Sequence, residues 1–268
     1  MDSAHIARTE EFIKASIYTP PEAAKGAKRI LLKPNLGYPV GPPVTVSMAV
    51  LQSVIKGLQT ASPSAEILIV EGVCSKRSLL EIAEINGLNT LLTDSVQLLN
   101  ADELECIEYP NQSPKPVRFK TMWAPKLLQE VDCRISVSAF KKTHLKGKPL
   151  ISASLKNLYG LFPRTKYKAR SPNSRGQLHR PSVPLVLQDV YFSIGHLFDG
   201  GVVDCTQKFV STDWKPDKGK SAQIGQIVWD QDLLETDRAA CKVGKETEAD
   251  YLLPIKKLRD SLLASAPI

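Results

Sequence analysis

Three short aliphatic runs, RILLK at 29–33, EILIV at 66–70 and RISV at 134–137, constrain this chain more than any other feature. Their density of Ile, Leu and Val marks strands covered on both faces, as in parallel sheets. Between the first two, Leu51, Val54, Ile55 and Leu58 recur at helical spacing within Val46–Leu58, and Ser62–Pro63–Ser64 ends that helix. Strand, helix and strand in that order form a crossover unit. The pattern predicts an α/β fold with a mainly parallel sheet flanked by helices.

The rest of the chain extends this reading as a single α/β domain over 1–268. Lys76–Ile85 reads as a helix stopped by Asn86–Gly87. Residues 97–121 alternate weakly and carry Pro110, Pro114 and Pro116, so a small β excursion or inserted lobe is expected there. Helical spacing returns from Pro149 to Tyr159 on Ile151, Leu155 and Leu158, with Gly160 as a stop. Residues 163–180 hold almost no aliphatic side chains and are expected to form a long, mobile basic loop that closes over a ligand. Val183–His196 is then helical, LFDGGVV a strand and turn, and Ile224–Trp229 the last strand. Two closing helices are expected near 232–242 and 246–263, with Asp232 and Asp237 capping or flanking the first.

Composition narrows the function classes. With 43% hydrophobic and 24% charged residues, the chain lies in the range of folded globular proteins. No apolar run approaches the roughly 18–20 residues needed to cross a bilayer. The opening MDSAHIARTEEFIKAS lacks an apolar leader core, so a cytoplasmic protein with no membrane partner is expected. The five cysteines (Cys74, Cys106, Cys133, Cys205 and Cys241) include no C-x-x-C pair, so no iron–sulfur cluster is expected, and Cys133 reads as a core residue. The net charge of +7 is concentrated in one place. Residues 141–180 contain eleven Lys and Arg with no Asp or Glu, leaving 24 bases against 28 acids elsewhere. Such a segment gathers anions.

Three constellations follow strands, where parallel sheets open into ligand crevices. Lys33–Pro34–Asn35 ends the first aliphatic strand. Lys142–Thr143–His144 follows the third, and the bases around it (Lys141, Lys146, Lys148) favour a neutral His144 able to take a proton. Lys156 and Asn157 stand on the helix some ten residues further on, and its N-terminus is expected to point into the cleft and favour an anion. Glu71, His179 and Asp199 are further acid–base or metal-ligand candidates, and Arg164 a further anion ligand. Motifs for P-loop nucleotide hydrolysis, dinucleotide binding, the hydrolase nucleophile elbow and the zinc-peptidase helix are absent.

LLKPN (31–35), IVEG (69–72), the strand and K-T-H of 135–144, SLKNLYG (154–160), His179, FDG (198–200) and the D-x4-D of 232–237 together resemble the domain-of-unknown-function family 362. The resemblance spans roughly 29–245, and SLKN followed by an aromatic or aliphatic residue and Gly is its most diagnostic piece. It implies that Lys33, Asn35, Glu71, Lys142, His144, Lys156, Asn157, His179 and Asp199 share one cleft. Many members carry ferredoxin-like cysteine clusters, and this chain lacks those cysteines.

These readings predict an enzyme acting on a small anionic metabolite. Lys33, Lys142 and Lys156 would clamp carboxylate or phosphate oxygens, His144 would serve as acid or base, and Asn35 and Asn157 would orient the substrate. Isomerisation, elimination or condensation, as in biosynthetic enzymes, suits this kit better than hydrolysis. A Schiff base is open to any lysine that is desolvated. Two rivals stand beside it. One is a metal- or cofactor-assisted enzyme using Glu71, His144, His179 and Asp199. The other is nucleic-acid binding through 141–180, which its few aromatic residues disfavour. The sequence names no particular cofactor and no oligomeric state.

Overall fold

Seven strands line up along one sheet, and the way the chain enters and leaves them determines where its ligand-facing edge lies. The computed structural model describes residues 4–145, 147–212 and 217–265. The strands are β1 (His5–Arg8), β2 (Arg29–Pro34), β3 (Glu66–Glu71), β4 (Val96–Asn100), β5 (Cys106–Pro110), β6 (Thr121–Pro125), β7 (Cys133–Leu145), β8 (Lys148–Ser152), β9 (Gly200–Thr212) and β10 (Gly219–Asp230). The main sheet runs β1-β10-β9-β7-β2-β3-β4, with β8 paired to β7 off that path, and β5 and β6 form a separate antiparallel ribbon. The pairs from β9 through β7, β2 and β3 to β4 are all parallel, while β10 joins antiparallel to β9 and β1. The fold is thus α/β with a mainly parallel sheet. Among the described residues, no helix is long and apolar enough to cross a membrane.

Helices cover both faces. On one, Val50, Leu51, Val54 and Leu58 of the helix Met48–Ala61 pack on Ile30, Leu32 and Val137. That helix is capped by Ser47, whose hydroxyl accepts from the Val50 amide. On the other face, Val186 and Val190 of Val183–Ser193, Leu234 and Ala240 of Leu233–Val243, and Leu252 of the last helix meet Leu31, Phe140 and Val203. The helix expected near 76–85 forms as Leu79–Asn86. A Ser78/Glu81 capping box opens it, and Gly87 closes it at φ 77°, a conformation that a side chain would strain.

Three local expectations are corrected. Residues 96–100 do not belong to an excursion but form the parallel edge strand β4, and the ribbon lies at 106–125 instead. Residues 148–152 are not helical. They fold back on β7 as β8, and the helix is confined to Ser154–Asn157 followed by a tight 3₁₀ turn. Ile151 lies in the strand, so its spacing from Leu155 and Leu158 imitates a helix that starts late. Residues 163–180 do not stand off the core: Arg175, Tyr167 and Leu178 are all buried.

The short helix Ser154–Asn157 would be marginal alone. It is held by the fully buried Asp237. That carboxylate accepts from the Ser154 amide at 2.6 Å, the Leu155 amide at 3.1 Å, the Ser154 hydroxyl at 2.5 Å and the Tyr251 hydroxyl at 2.7 Å. Burial pushes the Asp237 carboxyl above the usual carboxylate range, against the pull of those donors. Replacing it leaves the Ser154 and Leu155 amides and the Tyr251 hydroxyl without an acceptor, while the Ser154 hydroxyl keeps the Leu233 carbonyl. Asp237→Ala should therefore lower unfolding free energy in urea by about 3 kcal/mol. A loss below about 0.5 kcal/mol, the level of an ordinary surface change, would show that the helix does not need this cap.

Candidate active site

Lys33 is the penultimate residue of β2, just before Pro34, and its side chain turns inward instead of towards water. It is fully buried, an expensive position for an ammonium unless every N–H finds an acceptor. Its Nζ donates to Glu71 Oε1 at 2.7 Å, to the Pro34 carbonyl at 2.8 Å and to Asn157 Oδ1 at 3.3 Å. Glu71, at the end of the neighbouring β3, is equally enclosed: Oε1 also accepts from the Gly72 amide and Oε2 from the Leu36 amide. Asn157 completes the network by donating to the Lys33 carbonyl and the Ser136 hydroxyl. This network explains the glycine of SLKNLYG. A Cβ on Gly160 would lie 2.2 Å from Glu71 Oε1 and 2.8 Å from Lys33 Nζ, so any side chain here would displace the buried pair.

Above this base stand two more lysines. Lys141, where β7 runs past the end of β2, donates to Asn35 Oδ1 at 2.6 Å and the Val44 carbonyl at 2.8 Å. Its pKa is lowered to about 7, by burial first and then by the positive charges of Lys156 and Lys33, with Glu71 opposing. Lys156 is half-buried and its Nζ lies 5.0 Å over the Tyr159 ring. It makes no hydrogen bond among the described residues, and burial lowers its pKa as well. His179 stands edge-on to the same Tyr159 ring at 5.7 Å. Burial, with the charge of Lys156 adding to it, lowers the pKa of His179 to about 4.

The sequence expectations sort clearly against this geometry. Lys33, Asn35, Glu71, Lys156, Asn157 and His179 come together at the carboxyl edge of the sheet. Lys142 does not, because adjacent strand residues face opposite ways. Lys141 takes the place expected of Lys142, which instead pairs with Glu246 at 2.6 Å on the far face, beside Lys208. His144 falls two residues beyond Lys142 and shares its side of the strand, so the geometry does not join it to the cluster. Lys146, counted among its basic neighbours, lies outside the described residues. Arg164 is paired with Asp102 at 2.7 Å. Asp199 holds the Arg134 amide at 2.8 Å at the amino end of β7, the edge opposite the lysines. The expected anion position at the N-terminus of Ser154–Asn157 is filled by Asp237. Among the described residues, no three His, Cys, Asp or Glu side chains gather as a metal set.

Two residues of the cluster escape a reading by sequence. Lys141 was distinguishable from Lys142 only through strand parity. Arg175 sits in the segment expected to be a lid, yet it is buried. Its guanidinium donates to the carbonyls of Phe162, Gly72, Val73 and Gly160, and it pairs with Asp102. Gly72 leaves room for it: a Cβ there would lie 2.2 Å from Arg175 Nη2. Cys74 Sγ accepts from Arg175 Nη1 at 3.4 Å, at the margin of the lysine cluster.

Comparison with known proteins adds a family. The family model described as Domain of unknown function (DUF362) matches residues 30–242. None of the curated proteins compared with the chain matches it. Among solved structures, the lactate racemase apoprotein from Thermoanaerobacterium thermosaccharolyticum is similar at 16% identity and a TM-score of 0.48, over 76% of this chain and 49% of that one. The chain thus spans about half the length of that protein.

The neutral His179 links pH to stability. Its folded pKa lies below the unfolded one, so the unfolded chain takes up a proton that the folded protein refuses. Stability should fall as pH drops from about 6.5 to 4, by about 3 kcal/mol from this group. His179→Gln should flatten that part of the urea-midpoint profile. An unchanged slope would mean that His179 is not held neutral.

Proposed function

We propose that this chain, which belongs to the DUF362 family, is an enzyme that binds a small carboxylate- or phosphate-bearing metabolite at the carboxyl edge of its sheet. One observation carries the reading: the amines of Lys33 and Lys156 lie close enough for their charges to act on Lys141, and among the described residues Glu71 is the one carboxylate paired with any of the three. Like charges held together and partly out of water raise the free energy of the empty site. An anion relieves that repulsion.

The roles follow from what each group has left to offer. Lys33 is saturated by Glu71, Pro34 and Asn157, so it contributes a fixed positive field from below. Lys141 and Asn35, both half-buried, hold the anion directly. Asn157 positions Lys33. Lys156 and His179, which both pack on the Tyr159 ring, handle protons, and His179 takes over the acid–base role that the sequence gave to His144. With a neutral imidazole and easily deprotonated amines at hand, proton transfer next to a carbonyl, as in isomerisation, elimination or condensation, fits better than hydrolysis.

The rivals draw less support. Of the basic residues in 141–180, Lys142, Arg164 and Arg175 are paired with acids and Lys141 and Lys156 are drawn inward. That leaves a reduced basic surface for nucleic acid. The metal reading drew on Glu71, His144, His179 and Asp199. Glu71 is bound to Lys33, and Asp199 stands at the opposite edge.

Titration calorimetry with inorganic phosphate tests the reading. A bound anion stabilises the ammonium form of Lys141 and raises its pKa from about 7. Binding near pH 8 should therefore take up a proton, seen as a heat that depends on the buffer's ionisation enthalpy, and affinity should fall as pH rises through the bound pKa. Lys141→Met should abolish the uptake and weaken binding on the order of tenfold, the loss of one charge-assisted hydrogen bond. Lys142→Met, on the other face, should change neither. Absence of phosphate binding, or binding with no proton uptake, would overturn the reading.

A further inference from the structure

We infer that Lys156 is a nucleophile that forms an imine with the carbonyl carbon of a small oxoacid, which deepens the anion-site reading and rests on it. The three lysines of the cluster differ in how their amines are engaged. The ammonium of Lys33 has all three N–H groups committed. Lys141 is tethered by two acceptors, Asn35 Oδ1 and the Val44 carbonyl. Lys156 makes no hydrogen bond among the described residues, keeps partial exposure and rests on the face of Tyr159. An amine that is poorly solvated, close to another cation and reachable from solvent keeps a usable lone pair.

Its surroundings supply what an imine needs. The Lys156 backbone is fixed by the Asp237 cap on Ser154 and Leu155, so the amine is presented from a rigid base. His179, packed on the same Tyr159 ring, has Nδ1 3.3 Å from the Arg175 carbonyl. A carbonyl only accepts, so Nδ1 carries the hydrogen and Nε2 keeps its lone pair as a proton acceptor. Lys141 and Asn35 hold a carboxylate beside the amine. A substrate that uses both features carries a carboxylate next to a carbonyl.

The step balances without any oxidant or reductant. The Lys156 nitrogen pair attacks the carbonyl carbon, and the C=O π pair moves to oxygen, which takes a proton from the Lys141 ammonium. The nitrogen gives up a proton to His179, which returns it to the oxygen; the oxygen leaves as water as the nitrogen lone pair forms the C=N bond. The product is a protonated imine, an electron sink for breaking a bond to the adjacent carbon.

The full-length protein is incubated at pH 7 with glyoxylate, small enough that pocket size cannot exclude it, and with sodium cyanoborohydride. Adducts are then mapped by peptide mass spectrometry. Lys156 should gain the mass of glyoxylic acid less one oxygen atom, on the order of tenfold faster than the exposed Lys257, as expected of an amine with lowered pKa. Phosphate should slow it, and Lys156→Arg should leave only the background at surface lysines. Equal labelling of Lys156 and Lys257, in a protein that still binds phosphate with proton uptake, overturns the imine and leaves the anion site standing. Equal labelling together with no phosphate binding overturns both.

Discussion

A lysine ammonium and a glutamate carboxylate 2.7 Å apart, with almost no access to water, must complete their hydrogen bonds inside the protein. The Lys33–Glu71 pair does so by recruiting the ends of two parallel strands and the short helix above them. Glu71 draws in the amides of Leu36 and Gly72. Lys33 draws in Asn157, which in turn ties Ser136 of a third strand. Buried pairs of this kind add little net stability, but losing one partner strands a charge and costs about 3–5 kcal/mol. Their effect is on geometry. Two strand ends, the middle of a third strand and one helix can meet here in one arrangement, and that arrangement sets where Lys141 and Lys156 stand.

The glycines follow from the same constraint. Gly160 has no side chain because Lys33 and Glu71 fill the space, and Gly72 has none because Arg175 and the Gly160 carbonyl do. Arg175 then joins the segment after the helix to the loop after β3, which keeps Tyr159 and His179 beside Lys156. A second buried acid, Asp237, holds the other end of the helix. The amine of Lys156 is positioned between these two internal charge networks, yet neither network bonds to it. That separation between fixed framework and unengaged amine is what makes the site chemical and not merely structural.

Much of the fold was readable because β2, β3 and β7 are dense aliphatic runs, and buried parallel strands have few other ways to look. The same density hid nothing about Met48–Ala61, whose apolar residues keep helical spacing. Elsewhere two periods overlapped. Ile151 in β8 stands at helical distance from Leu155, so a strand followed by one turn of helix resembled a longer helix. β4 resembles an excursion in sequence because its exposed edge weakens the aliphatic signal, and β1 carries almost none. In the site, Lys33, Asn35, Glu71, Lys156, Asn157 and His179 were identifiable by position after strands or by family motif. Lys142 was preferred to Lys141 because a one-residue shift changes the face of a strand, and composition is blind to parity. Arg175 was read as a mobile charge. Its burial depends on carbonyls supplied by Gly72, Val73 and Gly160, far away in sequence.

The central claim is that desolvated lysines converge at this edge, and lysine side-chain NMR measures it directly. With ¹³Cε-labelled lysine, and Lys141→Met and Lys156→Met spectra to assign the signals, a pH titration reads the proton affinity of each amine. The account predicts that Lys141 titrates near 7, that Lys156 titrates below the ordinary lysine range, and that each variant shifts the partner that remains. If both titrate with the exposed lysines, at about 10.4, and neither responds to loss of the other, the amines are solvated and apart, and the account is wrong.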